Sequence, residues 1–131
     1  ENIVLYGTRD LDPPEKTALE ESRVHVYSRA RIRELGYEDA IKDALKNLQA
    51  ACDQIYIHVD LDVLDERAMK AQILPAPDGL SLLEVAGAIH VVKAAGKLAG
   101  LAIMVFNTLK DQDGLEARKV VKLITEAMSP E

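Results

Sequence analysis

The chain has 131 residues, of which 48% are hydrophobic and 29% charged, a balance that makes a folded domain with a real core and excludes a disordered tail. A formal net charge of -6 with no Lys/Arg cluster argues against a nucleic-acid partner, and no run of about 18 apolar residues offers a membrane span. The chain opens without a signal-peptide pattern, and Cys52 has no second cysteine to pair with, so a reducing, cytoplasmic setting is expected.

In chain order, Ile3 to Tyr6 reads as a short strand closed by Gly7. Asp12 then predicts a helix cap, with Pro13 or Pro14 at the first helical position and Leu19 on the short helix that follows. Val24, Val26 and Tyr27 suggest a second strand. Tyr37, Ile41, Ala44, Leu45, Leu48 and Ala51 recur at helical spacing and predict an amphipathic helix from Tyr37 to Ala51. Cys52, at its end and followed by Asp53, reads as a small packing residue. A third strand runs from Ile55 to Asp60, and a loop follows from Leu64 to Gly79. Ser81-Leu82-Leu83-Glu84 has capping-box spacing and opens an apolar helix that stops at Gly96. Leu101 to Phe106 is a continuous apolar strand of the kind buried on both faces of a parallel sheet. Asp113-Gly114-Leu115-Glu116 opens the last helix, with Leu115, Val120, Val121 and Ile124 on one face.

This alternation predicts an α/β fold with a mostly parallel sheet and helices on both sides. Residues 1–131 form a single domain or a half-domain: Glu1 is not a start methionine, and four strands could equally be half of a larger fold. In such sheets, sites form at the carboxyl ends of strands. The run from Tyr56 to Asp65 ends there in carboxylates. On a strand His58, Asp60 and Asp62 would share one face while Ile57, Val59 and Leu61 pack on the other. Two carboxylates so close repel and resist desolvation, so they suit a divalent cation such as Mg²⁺, Mn²⁺ or Ca²⁺. The alternative is a solvated strand end whose aspartates cap the next turn. Their place at a strand's carboxyl end favours the metal. His25 reads as a partly exposed structural residue and His90, mid-helix, as a packing or surface histidine.

His58-Val59-Asp60-Leu61-Asp62-Val63-Leu64-Asp65, followed by Pro75-Ala76-Pro77-Asp78-Gly79-Leu80-Ser81-Leu82-Leu83-Glu84, resembles the arginase (ureohydrolase) family. The family pattern is D-x-D-x-x-D-P, a Pro/Gly/Thr loop, then P-x-x-G-G-L-[ST]-x-x-E. Gly100-Leu101-Ala102-Ile103-Met104-Val105-Phe106-Asn107 is similar to the family's G-L-D-I-[MV]-E-V-N-P strand, and Gly7-Thr8-Arg9-Asp10-Leu11-Asp12-Pro13 to its [IV]-R-D-x-D turn. The similarity covers almost the whole chain but only the C-terminal half of a family member. It implies a three-layer α/β/α fold and a two-metal site, usually Mn²⁺ (manganese), with Mg²⁺ or another divalent metal as the substitute. In the family the metals lower the pKa of a shared water that attacks an amidine or guanidine carbon. Asp60 and Asp62 would be metal ligands; His58 would stand beside them without ligating. The remaining ligands belong to an N-terminal half of the same protein, so the isolated chain is expected to be inactive. A small-molecule substrate and assembly into a homo-oligomer are further implications.

Several positions depart from the pattern. Glu66 replaces the family's proline, Gln72-Ile73-Leu74 its Gly-Thr loop and Asp78 one of its paired glycines. Val105 stands where the family has its guanidinium-gripping acid, and Ala102 where it has an aspartate. A guanidinium needs a carboxylate for bidentate recognition, so the substrate signature of guanidine hydrolases is missing. The resemblance favours a metal-dependent hydrolase of non-peptide C–N bonds. Alternatives are a non-catalytic arginase-like protein and another Asp-x-Asp enzyme, such as a haloacid-dehalogenase-like phosphohydrolase.

Overall fold

The computed structural model describes residues 2–130, and the chain divides between Asp53 and Gln54 into two units. In the first, β1 (Val4–Thr8) pairs in parallel with β2 (His25–Ser28), Tyr6 opposite Tyr27. A parallel pair needs a crossover, and α1 (Pro13–Glu20) supplies it. Its start is as expected: the Asp12 carboxylate accepts from Glu15 N at 2.9 Å, while Glu15 Oε2 accepts from Asp12 N at 3.1 Å. The short helix α2 (Arg29–Leu35) was not legible in the sequence. Three arginines in seven residues hide its period, and among its residues Ile32 alone is buried. Then α3 (Tyr37–Gln49) buries Ala40, Ile41, Ala44 and Leu45, at the predicted spacing, and ends two residues before Ala51. Buried Tyr27 ties β2 to α3, its hydroxyl donating to Asp43 Oδ2 at 2.7 Å and accepting from Asn47 Nδ2 at 2.9 Å.

In the second unit, β3 (Ile55–Asp60) has its predicted bounds and pairs in parallel with β4 (Leu98–Met104), His58 opposite Ala102 and Asp60 opposite Met104. The last strand is shifted from the expected Leu101 to Phe106. It starts earlier, and it ends at Met104 because Val105 takes a left-handed φ of 66°. Nor is β4 buried on both faces; none of its residues is fully buried.

Between β3 and β4 lies α4 (Leu82–Ala94), opened by the predicted capping box: Ser81 Oγ accepts from Glu84 N at 3.2 Å and Glu84 Oε2 accepts from Ser81 N at 2.7 Å. It packs against α5 (Leu115–Met128), and the two bury Val85, Ile89, Val92, Leu123 and Ala127. The face expected for the last helix is out of phase. Leu115 and Val121 are exposed, whereas Glu116 is buried, its carboxylate accepting from Lys70 N at 2.6 Å and Lys119 Nζ at 2.7 Å. A carboxylate on the buried face cannot be read from apolar spacing. Among the described residues, no helix is long and apolar enough to cross a membrane.

Candidate metal centre

Along β3 the burial alternates: Ile55 and Val59 are buried, Tyr56, His58 and Asp60 exposed. His58 and Asp60 therefore share a face, and His58 Nε2 lies 3.0 Å from Asp60 Oδ1 with the two side chains 53% and 52% exposed. Asp62 does not continue that face, contrary to the expectation from alternation. The strand stops at Asp60, and Asp62 is the middle residue of a single 3-10 turn, Leu61–Val63, whose first residue, Leu61, is fully buried. The Asp60 side chain makes no hydrogen bond that caps this turn, so the capping role weighed for it from the sequence is not the one it plays.

The rest of the Asp-rich motif is architectural. Asp65 Oδ1 accepts from Arg67 N at 2.9 Å and Arg67 Nε at 3.1 Å, and its Oδ2 accepts from Asp78 N at 2.9 Å. One carboxylate thus closes both ends of the loop. Asp78 sits at φ 61°, a left-handed conformation that Asp tolerates better than most residues, which accounts for an Asp in a glycine's place. Gly79 then passes so close to the preceding turn that Leu80 N donates to Val63 O at 2.8 Å and Asp65 N to Leu80 O at 2.9 Å. Glu66 is explained as well: its N–H donates to Ala76 O at 3.2 Å, a bond proline cannot make.

The hydrogen bond from the Arg67 side chain holds the Asp65 carboxyl down to about 2, from an ordinary 3.8. Since the folded value is the lower one, the stabilisation is complete above 3.8 and is lost as the pH falls through about 2. Asp65→Asn should flatten the acid limb of the stability curve across that window. Parallel acid-denaturation curves for the two proteins there would refute the assignment.

At the carboxyl end of β4 the left-handed Val105 turns the chain, so that Phe106 pairs antiparallel with Gln72 and Asn107 N donates to Ala71 O at 2.8 Å. Gln72 is 0% exposed. Its Nε2 donates to Leu64 O at 2.9 Å, while its Oε1 has no hydrogen-bond partner among the described residues, a burial that costs about 1–3 kcal/mol. From the sequence Gln72 stands out only as part of the departure Gln72-Ile73-Leu74; the further signal is a lone amide in the apolar stretch Ala71-Gln72-Ile73-Leu74.

His25 is exposed on β2, His90 is half-buried within α4, and Cys52 donates its thiol to Leu48 O at 3.1 Å, as a packing residue would. Among the described residues, no group of three or more His, Cys, Asp or Glu could hold a metal ion. Asp60 and Asp62 are hard oxygen donors that fit part of a Mn²⁺ or Mg²⁺ site, and further ligands have to come from elsewhere.

Comparison with known proteins gives a consistent picture. An arginase from Bacillus subtilis (strain 168) is 30% identical over 124 residues, which are 95% of this chain and 42% of the relative. The crystal structure of arginase from Bacillus cereus superposes with a TM-score of 0.92 at 25% identity, covering 100% of this chain and 45% of that one. The structure of formimidoylglutamase from Bacillus subtilis subsp. subtilis str. 168 shares the fold with a TM-score of 0.84 at 24% identity, over 95% of this chain and 40% of its own. The chain therefore spans less than half the length of these relatives. The model of the Arginase family matches residues 1–129, and the chain belongs to that family.

Proposed function

We propose that these residues are the C-terminal part of a metal-dependent hydrolase that cleaves a non-peptide C–N bond in a small molecule. The observation that carries this reading is Asp60, exposed at the carboxyl end of a parallel strand, followed within two residues by Asp62 and engaged in no capping bond. Together with ligands from an N-terminal half, the two carboxylates would hold a pair of divalent ions, Mn²⁺ first. When bound, the metal supplies Lewis acidity and an activated water near neutral pH. The chain's own residues do the rest. His58, 3.0 Å from Asp60 Oδ1, would orient the Asp60 carboxylate. Val105, one residue past the strand partner of Asp60, walls the same sheet end. Two carboxylates are too few for tight binding, so residues 1–131 alone should hold metal weakly and show no turnover. A cytoplasmic location and a homo-oligomeric assembly belong to the same proposal.

Elemental analysis of the full-length protein tests it. Asp60→Asn and Asp62→Asn should each lose most of the bound metal, and equal metal content in all three proteins would sink the reading. A second reading, a non-catalytic relative, is favoured by Val105 and Ala102 in place of two family acids. A full-length protein that takes up no metal would support it.

A further inference from the structure

Gln72 combines three features: it is fully buried, its Oε1 has no partner among the described residues, and it links the segments that follow β3 and β4. Its side chain donates to Leu64 O at 2.9 Å, two residues beyond Asp62, and approaches Asp65 O at 3.5 Å. Its backbone pairs with Phe106, one residue beyond Val105, and its carbonyl accepts from Lys110 Nζ at 2.9 Å. A methionine of the same length would fill the volume and bury no orphaned oxygen, so stability alone does not call for an amide here. What methionine would not supply is the donor that holds Leu64 O.

We infer that Gln72 is a positioning residue: by holding Leu64 O with its side chain and Phe106 with its backbone, it fixes the turn carrying Asp62 against the end of β4 carrying Val105. This rests on the metal reading proposed above. The left-handed turn at Val105 is needed to bring Phe106 into that pairing, and the amide transmits the resulting register to the carboxylates. Loosening of Leu64 O would let the Asp62 turn shift relative to Asp60, and metal affinity is steep in such shifts.

The test is Gln72→Met in the full-length protein, with Mn²⁺ titrated by calorimetry and the melting temperature measured without metal. The expected result is an unchanged or higher melting temperature with Mn²⁺ binding weakened about ten-fold or more. Gln72→Leu, which also lacks the donor, should weaken binding likewise. Wild-type Mn²⁺ affinity in Gln72→Met, whatever its melting temperature, overturns this inference and leaves the metal reading standing. Wild-type protein that takes up no Mn²⁺ overturns both.

Discussion

Gly79→Ala is expected to cost about 3 kcal/mol or more, enough to unfold a marginal domain. A Cβ at this position would lie 2.2 Å from Asp65 N, 2.3 Å from Leu64 C and 2.6 Å from Leu64 O. All three are backbone atoms, so no rotamer change relieves the overlap. Moving the loop instead would break Leu80 N to Val63 O and Asp65 N to Leu80 O, at 2.8 and 2.9 Å, which close the turn after Asp62. The neighbouring Asp78→Gly change is the contrast. It relaxes a non-glycine residue at φ 61° whose side chain is exposed, and should stay within about 1 kcal/mol of the unaltered protein. Urea unfolding of both variants decides the matter. A Gly79→Ala protein as stable as Asp78→Gly would mean that the loop has room to move, and that the glycine is not there for close approach.

The local signals that were legible are those whose physics is local. Asp12 with Glu15, and Ser81 with Glu84, close capping boxes that depend on four consecutive residues, and both helices begin where that spacing puts them. The period of α3 likewise survives because its apolar positions are the buried ones. Where long-range contacts decide, the sequence misleads. Val105 reads as one more strand residue, yet pairing of Phe106 with Gln72, 34 positions earlier in the chain, turns it into the left-handed region. Glu116 lies outside the apolar face expected for the last helix, yet it is buried where the Lys70 N–H and Lys119 ammonium meet it. The site itself was half legible. Asp60 and His58 share a face as alternation requires, but the strand gives way to a 3-10 turn after Asp60, so Asp62 leaves that face. In the structure Asp65, Gly79, Ser81 and Glu84 are used for loop closure and capping, and Asp60 and Asp62 are the pair proposed above as metal ligands.

The full-length protein, loaded with Mn²⁺, is expected to hydrolyse arginine and agmatine poorly or not at all, and Val105→Glu to gain guanidinium binding by about ten-fold or more. Val105 follows Met104, the strand partner of Asp60, so its side chain belongs to the sheet end that carries the carboxylates. A branched apolar group there accepts no hydrogen bond, and a charged guanidinium brought against it would be desolvated without compensation. A neutral amide or a less basic amidine would lose less. A hydrogen bond to a charged partner contributes about 1.5–3 kcal/mol, which is the origin of the ten-fold figure. The backbone does not stand in the way of the change. At φ 66° a β-branched side chain is the more strained choice, and glutamate, unbranched at Cβ, relieves part of that strain. The opposing view is that Val105 only fills space while a carboxylate elsewhere grips the substrate. Urea release measured with arginine and with agmatine separates the two: robust turnover by the unaltered protein would show that recognition does not pass through this position, and Val105→Glu would then bring no gain in guanidinium affinity.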